Sequence, residues 1–181
     1  VDALKLELSH QLDEVYRTCP APAWAAIRPV RIWVEWARKP QGGAEYHVSA
    51  DWLRANGYLA DKAGDIEIAN VRNFLAWSKK AQPCMLMHEL AHAYYHGVLV
   101  KNKQHVRVRE HYDLVKEQGL YANIRYVDGT LKRAYALTNE QEYFAELSEA
   151  YFGRNDFFPF VRDELRTYDP AGHALMKQMW N

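Results

Sequence analysis

Two histidines and a glutamate near the middle of the chain stand in the pattern His-Glu-x-x-His, formed by His88, Glu89 and His92. Pro83 precedes them at a place suited to the first turn of a helix. Residues four apart on a helix point the same way, about 6 Å apart along the axis, so both imidazoles can bind one zinc ion. Glu89 can then reach a water on the metal and act as a general base. The alternative is a helix with two exposed histidines and a solvated glutamate.

A third ligand would favour the metal interpretation, and His96 is the first residue to consider. It follows His88 by eight residues, which is about 12 Å along a continuous helix and too far to share the ion. No histidine occupies position 98, so the longer motif of the metzincin peptidases is absent. We therefore expect His96 to be a core or surface histidine.

A better third ligand lies in a second predicted helix, which Thr138 caps together with Gln141 and which Gly153 ends. Three glutamates fall at i, i+4 and i+7 on one stripe of this helix: Glu142, Glu146 and Glu149. Like charges at this spacing destabilise an exposed helix by a few tenths of a kcal/mol per pair, whereas a cation beneath them would be bound. The stripe thus indicates a metal ligand, with a solvated acidic face as the alternative.

Taken together, the two segments resemble the catalytic domains of the anthrax lethal factor-like peptidases, which are gluzincin zinc metallopeptidases. The shared string is Thr-Asn-Glu-x-Glu-aromatic-Phe-Ala-Glu, residues 138–146, with Tyr135 seven residues before Glu142. The second shared feature is the His-Glu-x-x-His motif, residues 88–92. The flanking parts of the chain carry no matching landmark.

This resemblance implies a complete set of site residues. The zinc ligands would be His88, His92 and Glu142. Glu89 would be the general base, and the hydroxyl of Tyr135 would stabilise the oxyanion. A further carboxylate, Glu146, matches the kind of partner that orients a ligating imidazole through its other ring N–H. The implied activity is that of a zinc-dependent endopeptidase acting on a peptide or protein substrate.

Length predicts one domain, residues 1–181, and the helices and strands predicted along it indicate an α+β fold that is mainly helical and carries a small β-sheet. Acidic and basic residues are equal in number and the formal net charge is zero, so nothing indicates a nucleic acid or an anionic membrane as partner. No stretch approaches the roughly 18 consecutive apolar residues of a transmembrane helix. We expect a monomer.

Two features bear on the compartment. The chain begins at Val1 rather than at a methionine, so it is expected to be either a trimmed chain or a processed product; a removed signal peptide would fit, and with it a secreted or periplasmic protein. Cys19 and Cys84 could then form one disulfide, and the equal alternative is two small buried thiols.

Hydrophobic periodicity and turn residues predict the remaining elements. These are a helix at 2–17, a strand at 30–36, a helix at 50–55 capped by Ser49, a strand at 65–69, a helix at 71–80, a charged helix at 101–118, a hairpin of strands 121–127 and 130–136, a helix ending near Thr167 and a last helix from Asp169-Pro170 to Trp180. The last two helices are expected to pack on the back of the Glu142 helix. His105 and His111 are expected at the surface rather than as ligands.

Two predicted strands bear on the site. The hairpin turns at Asp128-Gly129 and would deliver Tyr135 at the end of its second strand, although a buried strand tyrosine is the alternative. The strand at 65–69 is either an ordinary interior strand or an edge strand that accepts the substrate as an added strand, as is common in gluzincin peptidases.

Two alternative functions remain open on the sequence. The chain could be a catalytically silent zincin-fold protein that serves in binding or regulation, although the base, the ligands and the oxyanion donor are all present. Zinc hydrolysis of a non-peptide amide would need the same residues, because specificity resides in loops that one sequence does not decode.

Overall fold

The computed structural model describes all 181 residues and confirms a mainly helical α+β fold. The α-helices are α1 (Asp2–Thr18), α2 (Ala21–Ile27), α3 (Ala50–Ala55), α4 (Val71–Lys80), α5 (Met85–Tyr94), α6 (His105–Glu117), α7 (Glu140–Phe152), α8 (Arg162–Tyr168) and α9 (Pro170–Met179). The strands are β1 (Ile32–Val34), β2 (Ala44–Tyr46), β3 (Ile66–Ile68), β4 (Ile124–Arg125) and β5 (Leu131–Lys132). No helix is long and apolar enough to cross a bilayer.

The larger sheet has the strand order β1-β3-β2, with β1 parallel and β2 antiparallel to β3. Of the two alternatives for residues 65–69, the interior strand is confirmed and the substrate-accepting edge is excluded, because β3 is the central strand and all three of its residues are buried. The edge strands are β1 and β2, and β2 lies against α5. Its three residues, Ala-Glu-Tyr, carry no strand signal strong enough to predict it.

The first third of the chain contains one further element that periodicity did not predict. The segment Cys19–Pro22 ends α1 as expected, but Pro20 and Pro22 then begin α2, because proline also suits the first turn of a helix. The predicted helices at 50–55 and 71–80 are confirmed, with Ser49 and Asn70 as their side-chain caps. The strand predicted at 30–36 is confined to Ile32–Val34.

Helix α5 carries the His-Glu-x-x-His motif and is almost entirely buried. Its chain continues without a break into a π-helix, Tyr95–Val100. The ring of His96 stacks on that of Tyr46 at 5.9 Å, and its Nε2 lies 3.0 Å from Oε1 of Gln141. His96 is half-buried and binds side chains of β2 and α7 rather than joining His88.

The predicted hairpin exists but is shorter than expected, since only Ile124–Arg125 and Leu131–Lys132 pair across the Asp128-Gly129 turn. Tyr135 does not end a strand. It begins a single 3-10 turn, Tyr135–Leu137, because the chain after β5 has no further strand partner and must bend into α7.

Helix α7 is capped by Asn139, not by Thr138. The side-chain oxygen of Asn139 accepts hydrogen bonds from the backbone N–H groups of Gln141 and Glu142, each at 2.9 Å, while Thr138 has a helical backbone and caps nothing. Gly153 ends the helix as predicted. Helix α7 packs on α5, and α8 and α9 cover its other side, which confirms the predicted arrangement.

The two cysteines are free thiols, so the disulfide alternative is wrong. Cys19 is buried, and the Sγ of Cys84 accepts a hydrogen bond from the backbone N–H of Arg154 at 3.2 Å. Burial raises the pKa of each thiol to about 12, so neither is a reactive thiolate at neutral pH.

The histidines expected at the surface of the charged helix are half-buried instead. Nε2 of His111 lies 3.4 Å from Oδ1 of Asp169, and the ring of His105 packs edge-on against Tyr95. The burial of Val108 in α6 explains the difference, because it turns the adjoining face of the helix inward.

Candidate metal centre

Three side chains from α5 and α7 bring their ligand atoms to one point. Nε2 of His88 lies 3.0 Å from Oε2 of Glu142 and 3.2 Å from Nε2 of His92. Nε2 of His92 lies 3.2 Å from the same oxygen of Glu142. These three residues form a group able to hold a metal ion. The structure thus brings together the predicted ligands, two from one helix and one from its neighbour.

The spacing of these atoms matches the donor set of a small ion. Two ligands on a tetrahedral ion with bonds of 2.0–2.1 Å lie about 3.3 Å apart, close to all three distances. Without an ion the three groups contact one another, with the two imidazole nitrogens 3.2 Å apart and both beside the same oxygen of Glu142. A bound divalent cation would satisfy both nitrogens and the carboxylate.

The three side chains converge because of their positions on α5 and α7 and the packing of these two helices. His88 and His92 lie one turn apart on α5 and so share a face. Glu142 lies in the first turn of α7, where the Asn139 cap fixes its backbone N–H. Because α5 and α7 pack along their length, the start of α7 falls beside the histidine face of α5.

The carboxylate that orients His88 is Glu149. Nδ1–H of His88 donates to Oε1 of Glu149 at 2.8 Å, which fixes the tautomer and directs Nε2 at the centre. Glu146, which was predicted for this role, has its nearest oxygen 3.8 Å from the same nitrogen, so that prediction is corrected. Both residues belong to the glutamate stripe, and only packing decides which one reaches the imidazole.

Electrostatics in the centre reflect this crowding of carboxylates. Burial alone would lower the pKa of His88, but the hydrogen bonds with Glu142 and Glu149 raise it well above its usual value. Burial tends to raise the pKa of Glu142, but the two histidines lower it strongly instead. A metal cation would take the place of the proton that the bare site favours on His88.

Glu89 and Tyr135 lie beside the donor atoms without joining them. Glu89 is buried, and both residues line the two cavities beside the centre. The ring of Tyr135 lies 6.2 Å from that of His88. Burial and the nearby Glu142 raise the pKa of Tyr135, so its hydroxyl stays a hydrogen-bond donor at neutral pH.

The two cavities share Ala44 of strand β2, and the smaller one is lined by all three residues of the donor triangle formed by the predicted ligands. One has a volume of about 330 Å³ and the other about 210 Å³. Hydrogen bonds at the two ends of β2 use Gly43 and His47 toward β3. Since such bonds alternate along an antiparallel pair, the N–H and C=O groups of Ala44 and Tyr46 point to the unpaired edge.

A second group of possible ligands, Glu45, His47 and Glu67, lies under the larger sheet. Here the charge is already balanced. Lys62 is fully buried and its Nζ lies 2.8 Å from Glu67, while Nε2 of His47 lies 2.7 Å from the other oxygen. This group is a buried ion network of the protein itself.

No protein-family profile, curated protein or solved structure matches this chain. The class of site is therefore defined by its own geometry, a two-histidine, one-carboxylate donor set with a flanking glutamate and tyrosine. Sequence reasoning missed the part played by Glu149, for which the i+7 spacing was the available signal. It also missed strand β2, and it did not single out Asp156.

Proposed function

We propose that the protein is a zinc-dependent peptidase whose metal is held by His88, His92 and Glu142. The observation that carries the proposal is the triangle of ligand atoms with edges of 3.0–3.2 Å. Two imidazoles and one carboxylate form a donor set typical of catalytic zinc, which leaves a fourth position open. The resemblance of the two motifs to lethal factor-like peptidases supports the same assignment.

Zinc supplies Lewis acidity at such a site, making a water molecule more acidic and a carbonyl carbon more electrophilic. Glu89 accepts one proton of the attacking water, whose oxygen adds to the carbonyl carbon of the scissile bond. Glu89 then delivers this proton to the leaving nitrogen as the C–N bond breaks. The products are a carboxylic acid and an amine, and the glutamate returns to its starting form.

Tyr135 supports this reaction from the other side of the cleft. Its hydroxyl donates a hydrogen bond to the carbonyl oxygen, where negative charge develops as the water adds. The raised pKa of Tyr135 keeps the proton on the phenol at neutral pH. Its half-exposed position leaves room for a substrate to reach it.

The free edge of β2 favours a peptide over other amides as substrate. An extended peptide can add to this edge as a further strand, using the outward N–H and C=O groups of Ala44 and Tyr46. Ala44 lines both cavities beside Glu89, so a peptide bound there would pass the catalytic groups. The edge-strand role expected for residues 65–69 thus belongs to β2 in this proposal.

The test is metal content and peptide hydrolysis measured on the same preparations. We expect one zinc per chain and cleavage of a denatured protein pool, lost with a chelator and restored by zinc. The Glu89→Gln variant should bind zinc normally but lose nearly all hydrolysis, because its amide cannot accept the proton of water. Asp51→Asn, an exposed acidic residue with a side chain 94% exposed, is the matched control and should retain activity.

Two results would contradict the proposal. Full activity in Glu89→Gln would refute the role of this residue as base. A zinc-loaded wild-type protein that cleaves no peptide bond in the pool would refute peptidase activity and favour a protein that only binds its partner.

A further inference from the structure

The larger cavity beside the metal centre, with a volume of about 330 Å³, has an unusual combination of walls. Four aromatic side chains line it, those of Trp77, Tyr126, Tyr135 and Phe157. The carboxylates of Glu146 and Asp156 also line it. The cavity therefore combines aromatic walls with carboxyl groups.

The acidic groups in and behind this cavity lack partners. Glu146 is 1% exposed, and neither of its carboxylate oxygens has a hydrogen-bond partner. One oxygen of Asp156 and one of Glu149 are also buried without a hydrogen-bond partner. Of the eight buried side-chain polar atoms without a partner in the whole chain, four thus belong to these three neighbouring carboxylates. Such groups are destabilising unless something binds them.

His88 is the one basic side chain of the protein that pairs with this cluster, since its Nδ1 lies 2.8 Å from Glu149 and 3.8 Å from Glu146. No lysine or arginine forms an ion pair with Glu146, Glu149 or Asp156. Lys132 stays at the rim, with its Nζ 3.9 Å over the ring of Tyr126 and 3.1 Å from Asp128. Three carboxyl groups thus share one imidazole. A cation from outside the chain could bind the oxygens that have no partner.

The shape of the cavity distinguishes between two kinds of cation. His88, Glu146 and Glu149 bring ligand atoms within 4.8 Å of one another, but a second metal ion there would leave the aromatic walls of the cavity without a contact. A lysine or arginine side chain instead has a long apolar stem and a cationic head. The aromatic walls suit the stem, and the unpartnered carboxylates suit the head.

We propose that this cavity binds the lysine or arginine side chain of a substrate residue next to the scissile bond, with Glu146 and Asp156 holding its cationic head. The inference rests on the proposed peptidase function, because Glu89 and Tyr135 line the same cavity and mark where the scissile bond would lie. Glu146 is available for this role, since Glu149 already orients His88.

The test uses pairs of peptides that differ only by arginine or citrulline, its neutral isostere, at each position flanking the cleavage site. We expect kcat/KM for the arginine peptide to exceed that for the citrulline peptide by about tenfold or more at one of these positions. In Glu146→Gln and in Asp156→Asn the arginine-to-citrulline ratio should fall toward one. The Asp51→Asn control should keep the wild-type ratio.

The outcomes separate this inference from the proposed function. Equal cleavage of arginine and citrulline peptides by the wild-type protein would overturn the pocket assignment and leave the peptidase proposal intact.

If the zinc-loaded protein cleaves no peptide, a binding experiment tests the pocket by comparing the affinity for butylguanidinium with that for the neutral butylurea. A preference for the cation that Asp156→Asn abolishes would support the pocket, and equal binding of the two probes would overturn it. Thermal melting of each variant checks that it is folded.

Discussion

Tyr135 is the most exposed member of the candidate centre, at 47%, whereas His88 and Glu89 are buried. A group that binds charge only as the reaction proceeds must be reachable by the substrate, while ligands and base must be held away from bulk water. The short 3-10 turn achieves this by presenting the tyrosine at the mouth of the cleft, between the hairpin and α7.

The Tyr135→Phe variant tests this role. We expect kcat to fall by about one to three decades, because a preorganised donor to the oxyanion is lost, while zinc content stays unchanged. Peptide kinetics with metal analysis measure both quantities. Tyr16→Phe, at an exposed position of α1, is the matched control. A variant with wild-type kcat would remove Tyr135 from the mechanism.

Glu149 and Glu146 differ by one turn of α7 and by their distance from His88. We expect Glu149→Gln to weaken zinc affinity by about 10- to 100-fold, because the imidazole loses a charged acceptor for its Nδ1–H. Glu146→Gln should weaken it less. Competition with a chromogenic chelator measures both affinities. A larger loss of zinc affinity in Glu146→Gln than in Glu149→Gln would show that Glu146 is the residue that orients His88.

At the scale of elements, the site depends on how α7 begins. Asn139 accepts two backbone hydrogen bonds there, one of them from Glu142, a proposed metal ligand. The cap therefore fixes both the first turn of α7 and the backbone position of this proposed ligand. Thr138, the residue next to it, makes no such contact.

The Asn139→Ala variant should lower the free energy of unfolding by about 0.5–2 kcal/mol, the usual effect of losing a side-chain cap. Thr138→Ala is the matched control and should change it by less than about 0.5 kcal/mol. Urea unfolding of the metal-free protein measures the difference without a contribution from zinc binding. A larger loss of unfolding free energy in Thr138→Ala than in Asn139→Ala would show that Thr138 caps the helix.

At the scale of the whole molecule, Asp169 joins several parts of the chain. Its side chain caps α9 through the N–H of Gly172 and accepts hydrogen bonds from the hydroxyls of Tyr121 and Tyr143 at 3.0 and 2.8 Å. His111 of α6 lies 3.4 Å away. One carboxylate thus links α6, α7, α9 and the segment before the hairpin, behind the helix that carries Glu142.

The ionisation of this carboxylate is expected to make the stability of the fold depend on pH in the acid range. Burial tends to raise the pKa of Asp169, but the contacts with His111, Gly172 and Tyr143 outweigh it and lower the pKa. A lowered pKa means that the ionised form stabilises the fold, fully above the unfolded pKa of about 4 and less as pH falls through the folded value.

We expect Asp169→Asn to lower the free energy of unfolding at pH 7 by about 1–3 kcal/mol, because buried hydroxyls lose a charged acceptor. The difference from wild type should shrink below about pH 4, where Asp169 itself becomes protonated. Denaturant unfolding of metal-free protein across this range measures it. A constant difference at all pH values would contradict the assignment.

The sequence by itself determined the features that depend on neighbours along the chain. Helix periodicity located α1, α4, α5 and the last three helices, and the four-residue spacing of His88 and His92 fixed their common face. The glutamate stripe could also be predicted, because residues at i, i+4 and i+7 lie on one face of the same helix. The end of α7 at Gly153 could be predicted from the residue type alone.

Only the tertiary structure decided the features that depend on distant contacts. Glu146 and Glu149 share one stripe of α7. Because of the way α7 packs on α5, Glu149 forms the hydrogen bond with His88, whereas Glu146 lines the cavity. Strand β2 exists because β3 offers it a partner, since three residues have no strand tendency of their own. A local pattern sets which faces an element can present, and the long-range packing of the core selects which residue on that face meets which partner.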